Sequence, residues 1–391
     1  MGKPAAGGPC ELLGNDLAKG CPSNQAILSS FPGAGWTDLT ASTRPSARRG
    51  HTMAYDSESD RVILFGGYVD STETFQNDTW AYDLNANTWT DMNPATRPAG
   101  RDSHAMTYDA ESDRVILFGG NKGDFIGSDE TWAFDFDNNT WTDMNPATRP
   151  AGRWIHALAY DAESDRVILF GGAVGVRPYP SNDVWAYDFN TNTWTDLNRV
   201  TRPASRWGHA MAYDAESDRV ILFGSQSLGF DRETWVYDFN TNAWANMDPA
   251  TGPPGRSGHF MAYDNESDRV VLFGGIIGPL GNARRDDETW TYDVNRNIWA
   301  RANSAGRPSP RHLHAMAYDS ESDRVILFGG STGGDQTWAH RYSPPPLAPP
   351  LAPPPVPPWV YIAGGVAGAA AAAAAGALLI RRSRGKRRGK E

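Results

Sequence analysis

Cysteine is nearly absent from this 391-residue chain: only Cys10 and Cys21 occur, and none lies between 22 and 391. Most of the chain therefore has no disulfide, no thiolate nucleophile and no cysteine metal ligand. The pair itself, in CELLGNDLAKGC, leaves two readings open, a small disulfide loop in an oxidising compartment or two free thiols. Long amphipathic helical periods are missing before residue 343, which excludes a helical bundle or solenoid. Positive charge is scarce too. The formal net charge is −10, and the last eleven residues, RRSRGKRRGKE, hold seven of the 36 Lys and Arg and one of the 46 acids, leaving 29 minus 45, or −16, on everything before them. A body this acidic repels phosphate backbones, so nucleic acid is excluded as its partner. No carboxylate pair or nucleophile-base motif stands apart from the repeated pattern below, so no catalytic residue, metal or cofactor is assigned.

Tryptophan is in excess, with 15 copies, beside 40 glycines and recurrent Asn and Asp, a balance of turn-rich β structure. The phrase YDAESDRVILFGG fills 108–120 and returns letter for letter at 160–172; four edited copies make six in all. His51, His104, His156, His209, His259 and His314 mark them at intervals of 50 to 55 residues, a period that belongs to repeat architectures. Each copy reads as four strands: R-x-x-H-x-M-A-Y-D, a D-x-E-S-D turn, R-V-I-L-F-G-G, a variable loop, T-W-A-Y-D, a second turn and N-T-W-T-D-M, with edits. In the first strand His104, Met106 and Tyr108 alternate with small Ala105 and Thr107, and a slim face suits crowding near an axis. Val115 to Phe118 is apolar on both faces, as a strand between packed sheets requires, and Gly119 and Gly120 release the chain into a loop. Trp132, Phe134 and Trp141 fill the wider gap further out. The expected fold is all-β, a six-bladed β-propeller over 36–342.

A ring must close, and the two ends of the pattern complement each other. The sixth copy stops after DQTWAHRY, without a W-T-D-M strand. The missing piece lies at the other end, where WTDLTASTRPSARRGH at 36–51 matches WTDLNRVTRPASRWGH at 194–209 without a gap. Residues 36–39 are therefore expected to pair as the outermost strand of the last blade and cover its edge.

The double glycines at 66/67, 119/120, 171/172, 274/275 and 329/330, with the aromatic pairs Tyr82/Trp89, Phe134/Trp141, Tyr187/Trp194, Tyr237/Trp244 and Tyr292/Trp299, make the chain resemble the kelch-repeat family. It departs at Ser225, in place of the fourth copy's second glycine, and at His340, where the sixth copy would have Tyr. The resemblance implies a kelch-type propeller whose ligand engages one face, built from the residues after each repeat Arg and the loops after the double glycines. Some kelch propellers are enzymes, among them copper oxidases of sugars and a sialic acid epimerase. The oxidases depend on a Tyr crosslinked to Cys, which this chain lacks beyond residue 21.

Three constellations invite a metal. The D-x-E-S-D turns, such as Asp56 to Asp60, cluster oxygens that suit Ca²⁺, but Asp and Ser cap their own backbone in tight turns, and the Arg that follows offsets the charge. The run Asp188, Asn190, Asn192 imitates an EF-hand start without its glycine or distal Glu. Six His, each three residues after an Arg, would stand too far apart around a ring for ~2 Å bonds to one ion, and read as structural. Ligand binding is better sought where the copies differ. The residues after the repeat Arg include Arg49, Asp102, Trp154, Trp207, Ser257 and His312, and these are the candidate binding residues. Trp154 and Trp207, in adjacent blades, suit either a stacking platform for a sugar or peptide aromatic or a simple lid on the channel.

Beyond the propeller, 343–358 holds ten prolines and reads as a polyproline stalk ~50 Å long. The 22 uncharged residues at 359–380 are long enough for a transmembrane helix, with Trp359 and Tyr361 at one interface and the basic tail 381–391 at the other. Gly364 and Gly368 form a G-x-x-x-G step for a helix-helix dimer. The charge bias keeps the tail cytoplasmic and puts the propeller outside a cell membrane, although the segment 1–35 shows no apolar export signal; a cytosolic, tail-anchored adaptor is the alternative topology. Asn77, Asn138 and Asn265 head glycosylation sequons. The expected function is membrane-anchored recognition of a protein or glycan, with a carbohydrate-active enzyme on the same face as the alternative.

Overall fold

The computed structural model describes residues 35–342 apart from 124, 176–178, 199–200, 227–228, 280, 303–305 and 332–333. Cys10, Cys21, the stalk 343–358, the segment 359–380 with Gly364 and Gly368, and the tail 381–391 lie outside the described residues. Among those described there is no helix, and hence none long and apolar enough to cross a membrane. Among the described residues most strands form six four-stranded antiparallel sheets, and the short strands of the loops form two three-stranded sheets and one two-stranded one. In the second repeat the four strands are Ala105–Asp109, Arg114–Phe118, Thr131–Asp135 and Thr140–Asp143, hydrogen-bonded in that order. The first strands of neighbouring repeats touch in a closed cycle, from Thr52–Asp56 through Ala105–Asp109, Ala157–Asp161, Ala210–Asp214 and Phe260–Asp264 to Ala315–Asp319 and back. This is the architecture of a β-propeller.

Each D-x-E-S-D phrase folds as the turn its residues favour. Asp109 Oδ1 accepts the backbone N–H of Glu111 at 3.2 Å and of Ser112 at 3.1 Å, and Asp113 adopts a left-handed φ of 54°. The Tyr108 hydroxyl donates to Asp113, and Arg114 pairs with Asp135 at 2.7 Å. The turn carboxylates thus serve the hairpin.

The hydrophobic core is six clusters, one in each seam between adjacent sheets. Ile63, Phe65 and Ala81 of the first repeat meet Met106, Leu117 and Trp141 of the second. The second strand lies between two such clusters, which is why Val62, Ile63, Leu64 and Phe65 are all buried on a strand with no solvent face. Each fully buried side chain of this size contributes ~1.5–3 kcal/mol.

A tryptophan in each outer strand ties its sheet to the preceding one. Trp89, Trp141, Trp194 and Trp299 donate Nε1–H to the Oγ1 of Thr337, Thr79, Thr131 and Thr234 at 2.9, 2.9, 3.0 and 2.9 Å. In the sixth repeat the role falls to Trp36, from the start of the chain, which donates to Thr289 at 2.8 Å. Its strand, Gly35–Asp38, pairs antiparallel with Thr337–Arg341, with Trp36 opposite His340. The closing strand thus forms as expected, one residue earlier than the W-T-D-L phrase indicates. One seam breaks the pattern: the third repeat carries Val184 where the others have Thr, and Trp244 Nε1 is left without a partner.

Ser225 changes its loop in a definite way. Gly224 takes the left-handed φ of 73° expected of a first glycine, but Ser225 does not continue it. The second strand therefore runs on as Arg219–Gln226 and the third begins early, as Phe230–Asp238, with a bulge between Phe223 and Ser225.

Two substitutions probe the seams in a thermal or chemical melt. Val184→Thr gives Trp244 an acceptor and should stabilise by ~1 kcal/mol. Trp36→Ala should destabilise by ~3–5 kcal/mol; an unchanged melting midpoint in Trp36→Ala would contradict closure by this strand.

Candidate functional site

The loop face is built on six buried arginines, Arg48, Arg101, Arg153, Arg206, Arg256 and Arg311. Each sends Nη1 to the carbonyl of the first glycine in its own repeat, as Arg101 to Gly119 at 2.9 Å and Arg256 to Gly274 at 2.7 Å, and Nε to a carbonyl two residues upstream, as Arg101 to Ala99 at 3.0 Å. An acid completes five of them: Asp78, Glu130, Asp183, Glu233 and Asp286. Arg311 meets the neutral Gln336 at 3.1 Å instead, and burial lowers its pKa to about 10 despite the charge of Asp38. The same arginines join the repeats through their backbone. The N–H of the second glycine in one repeat donates to the Arg carbonyl of the next, as Gly67 to Arg101 at 2.8 Å and Gly330 to Arg48 at 2.9 Å. A Cβ on Gly66 would come within 2.9 Å of the Arg101 carbonyl, so close approach demands glycine there.

The six repeat histidines are buried beside these joints, and each packs against a phenylalanine of the preceding repeat, as His104 on Phe65 with ring centroids 5.5 Å apart. Burial, then the adjacent Arg charge, holds them neutral, with His51 and His209 lowered to about 3. They brace the joint. No group of three metal-ligating side chains occurs among the described residues.

Around the mouth of the central channel, six residues form a closed ring of backbone hydrogen bonds. Gly50 donates to Leu313, Ser103 to Gly50, Ile155 to Ser103, Gly208 to Ile155, Gly258 to Gly208 and Leu313 to Gly258, at 2.7 to 3.0 Å. All six have left-handed φ, between 54° and 66°. That conformation suits Gly50, Gly208 and Gly258 but strains Ser103, Leu313 and above all the β-branched Ile155. Below the ring lies a cavity of about 410 Å³, walled by the first strands.

Each candidate binding residue immediately precedes a ring member and pairs with the loop after its own double glycine. Arg49 bridges to Tyr68, Asp102 to Asn121, and Trp154 and Ser257 pair with Ala173 and Ile276. Trp207 accepts from Gln226 N–H and His312 from Ser331 N–H. The two variable segments are therefore one surface.

The side chains on that surface differ in kind. Arg49 lies over the Tyr68 ring at 4.9 Å and bonds Asp70 at 3.0 Å. Asp102 is buried with Oδ1 unpartnered; burial raises its pKa to about 6 against the charge of Arg49 and hydrogen bonds from Asn121 and Ser103. Ser257 is buried beside Gly208. His312 Nδ1 faces Ser331 Oγ at 2.5 Å and Arg285 Nε at 3.3 Å, and burial with the charges of Arg285 and Arg49 lowers its pKa to about 4. Trp154 packs edge-on against Phe125 at 6.2 Å, whereas no ring contact joins it to Trp207 among the described residues. Phe125 and Tyr179, both largely exposed, belong to the same surface, as do Arg284 and Arg285. Sequence reasoning did not single out these four because they lie inside loops without periodicity; the available signals were the aromatic rings of Phe125 and Tyr179 and the adjacent Arg284 and Arg285 in an acidic body.

Repeated four-stranded sheets in a cycle, with double-glycine exits and a variable loop face, define a repeat β-propeller. A family model described as the KLHDC2/KLHL20/DRC7 Kelch-repeats domain matches residues 13–224, 60–275 and 162–343. The chain belongs to the kelch-repeat family. It is similar to Kelch domain-containing protein 3 of Bos taurus, with 28% identity over 49% of this chain and 51% of that protein. It also resembles Mei4-dependent protein 6 of Schizosaccharomyces pombe, with 26% identity over 48% of this chain and 29% of that protein. Putative adagio-like protein 2 of Oryza sativa subsp. japonica shows 27% identity over 58% and 38%. The chain thus spans about half or less of the length of these relatives.

The arginine joints give a pH dependence with a definite sign. Partial burial pushes the Glu130 carboxyl up, but the hydrogen bond and charge of Arg101, with Lys122 and Trp132, outweigh it and bring it to about 2, below the 4.5 of an unperturbed Glu. A depressed acid stabilises the fold fully above its unfolded pKa and loses that contribution as pH falls through its folded one. The stability difference between the native chain and Glu130→Gln should be constant near neutrality and shrink from pH 4.5 toward about 2 in denaturant titrations. A difference that grows on acidification would refute the joint's electrostatics.

Proposed function

We propose that this chain is a protein-binding module, a six-bladed propeller in which the six sheets make up the whole ring and the loop face receives the partner. One observation carries the reading: chemically different side chains are gathered on one face of an otherwise repeating body. Trp–Thr seams, arginine joints and tyrosine-capped turns recur with few edits, while Arg49, Asp102, Trp154, Trp207, Ser257 and His312 share a position but span basic, acidic, aromatic, hydroxyl and imidazole side chains. A surface that must complement one irregular partner has to break the symmetry of its scaffold. The one Ser–His contact described on this face, Ser331 Oγ at 2.5 Å from His312 Nδ1, also has Arg285 Nε facing the same nitrogen, an arrangement that suits display. The face formed by Trp154 and Phe125 also suits a sugar ring, so a glycan is the second ligand class, and turnover of a sugar dependent on Asp102 or His312 would mark the enzymatic alternative.

We further infer that 359–380 crosses a cell membrane, with 381–391 in the cytoplasm and the propeller outside. The support is the apolar length, the aromatic pair at one end and the basic cluster at the other.

Replacing Trp154 or Trp207 with Ala should weaken capture of the protein partner at least ~10-fold while leaving the unfolding free energy within about 1 kcal/mol of the parent, since neither ring fills a seam. Equal binding by both variants would remove the loop face as the site. Protease added to intact cells should cleave the propeller from its stalk; full protection would favour the tail-anchored adaptor.

A further inference from the structure

The post-glycine loop of the fifth repeat is held on a small three-stranded sheet, in which Arg284–Arg285 pairs with Ile276–Ile277 and that strand with Arg256–Ser257. This fixes Arg285 against the sixth repeat. Its Nε donates to Ser331 Oγ at 3.1 Å and to His312 Nδ1 at 3.3 Å. Because Arg can only donate, His312 Nδ1 is the acceptor and its ring proton sits on Nε2. Beside them opens a concavity of about 650 Å³ lined by Ile276, Ala283, Arg284, Arg285, Ser309 and His312.

What this concavity lacks is an acid. The neighbouring acidic run is spent elsewhere: Asp286 is buried on Arg256 at 3.0 Å, Asp287 pairs with Arg307 at 2.9 Å and Glu288 with Arg301 at 2.7 Å. Arg284 reaches only Asp286, at 3.7 Å, an acid already held by Arg256. Arg285 has no carboxylate within ion-pair distance among the described residues. In a body whose formal balance before the tail is −16, two adjacent guanidiniums on a fixed strand, one without an acid and one sharing an acid that Arg256 already holds, are out of keeping with their surroundings. The donors that remain, the Arg285 Nη groups, Arg284 and His312 Nε2–H, fit an acceptor that brings negative charge and presents two oxygens in a plane.

We propose that Arg285, Arg284 and His312 form an anion subsite that takes the carboxylate of an acidic side chain in the bound protein. The proposal rests on the reading of the loop face as a protein-binding surface and assigns one corner of it. Arg285 makes the bidentate contact, His312 Nε2–H adds a neutral donor, and Arg284 at the rim steers the approach. The apolar corner at Trp154, Phe125 and Tyr179 belongs to other repeats, so a partner segment that uses both corners is acidic at one point and aromatic or aliphatic at another.

The test measures binding of a labelled short oligoglutamate to the full chain at low salt, beside an oligoglutamine of equal length and inorganic phosphate as a competitor. Oligoglutamate should bind, weaken with salt, and lose about tenfold in affinity in Arg285→Gln, with a smaller loss in Arg284→Gln. Arg296→Gln, an exposed arginine on another turn of the fifth repeat, should leave it unchanged. Oligoglutamine binding as tightly as oligoglutamate overturns the subsite, as does indifference to Arg285→Gln; phosphate competing at or below the oligoglutamate concentration would reassign it to phosphate. Random peptides selected on the same protein separate the subsite from the reading beneath it. Selected peptides that depend on Trp154 but carry no acid keep the loop face and sink the anion subsite; if none is selected while oligoglutamate still binds through Arg285, the protein-binding reading falls and the subsite stands.

Discussion

Everything in this fold depends on a buried guanidinium held by carbonyls. An arginine taken from water is tolerable only when most of its donors are met, and each repeat Arg meets them with the first glycine of its own loop exit, an upstream carbonyl and, in five repeats, an acid, with Arg256 Nη2 left without a partner. In five repeats the Arg carbonyl then accepts from the second glycine of the preceding repeat. One residue therefore fixes the bend of its own loop and the distance to its neighbour, and the first glycine follows from it, because a Cβ on Gly66 would strike the Arg101 carbonyl and His104, whereas a Cβ on the second, Gly67, would strike His51 of its own repeat. The apolar clusters supply most of the burial energy, but they are non-directional, and the arginine joint sets the angle at which they meet.

The seams also show how tolerant repetition is of local loss. Val184 removes one Trp–Thr bond, Phe134 removes the hydroxyl that in other repeats meets a turn Asn and leaves Asn139 Oδ1 without a partner, and Gln336 replaces an acid. These edits fall in different seams. In a cycle each sheet is held from both sides, so a single weakened contact is restrained by its neighbours, whereas in an open array it would be a fraying point.

Much of the architecture was legible because it repeats. Four strands per copy, the Asx turn, the double-glycine exit and the closing strand all follow from short phrases whose period or misplacement is visible in the letters. Ser225 was visible as a departure, but whether a strand extends or a loop reshapes depends on pairing with Phe230–Asp238, which no local phrase encodes. The candidate residues were found by looking where the copies differ; their environment was not. Nothing in the letters indicates that Asp102 is buried with an idle oxygen, or that Trp154 meets Phe125 and not Trp207, since both depend on aperiodic loops. The left-handed ring was half visible: Gly50, Gly208 and Gly258 suit it, while Ser103, Ile155 and Leu313 adopt it only because their neighbours on both sides do.

That ring has an electrical consequence. Its six N–H···O=C contacts run the same way around a circle, each residue donating to one neighbour and accepting from the other, so all six N–H groups are used, unlike those at a helix N-terminus, which stay free for a ligand. These six amides therefore offer an approaching anion no free donor. Selectivity for cation or anion is left to side chains mounted outside the circle, where one codon can be exchanged without disturbing the loop of amides that holds the mouth together.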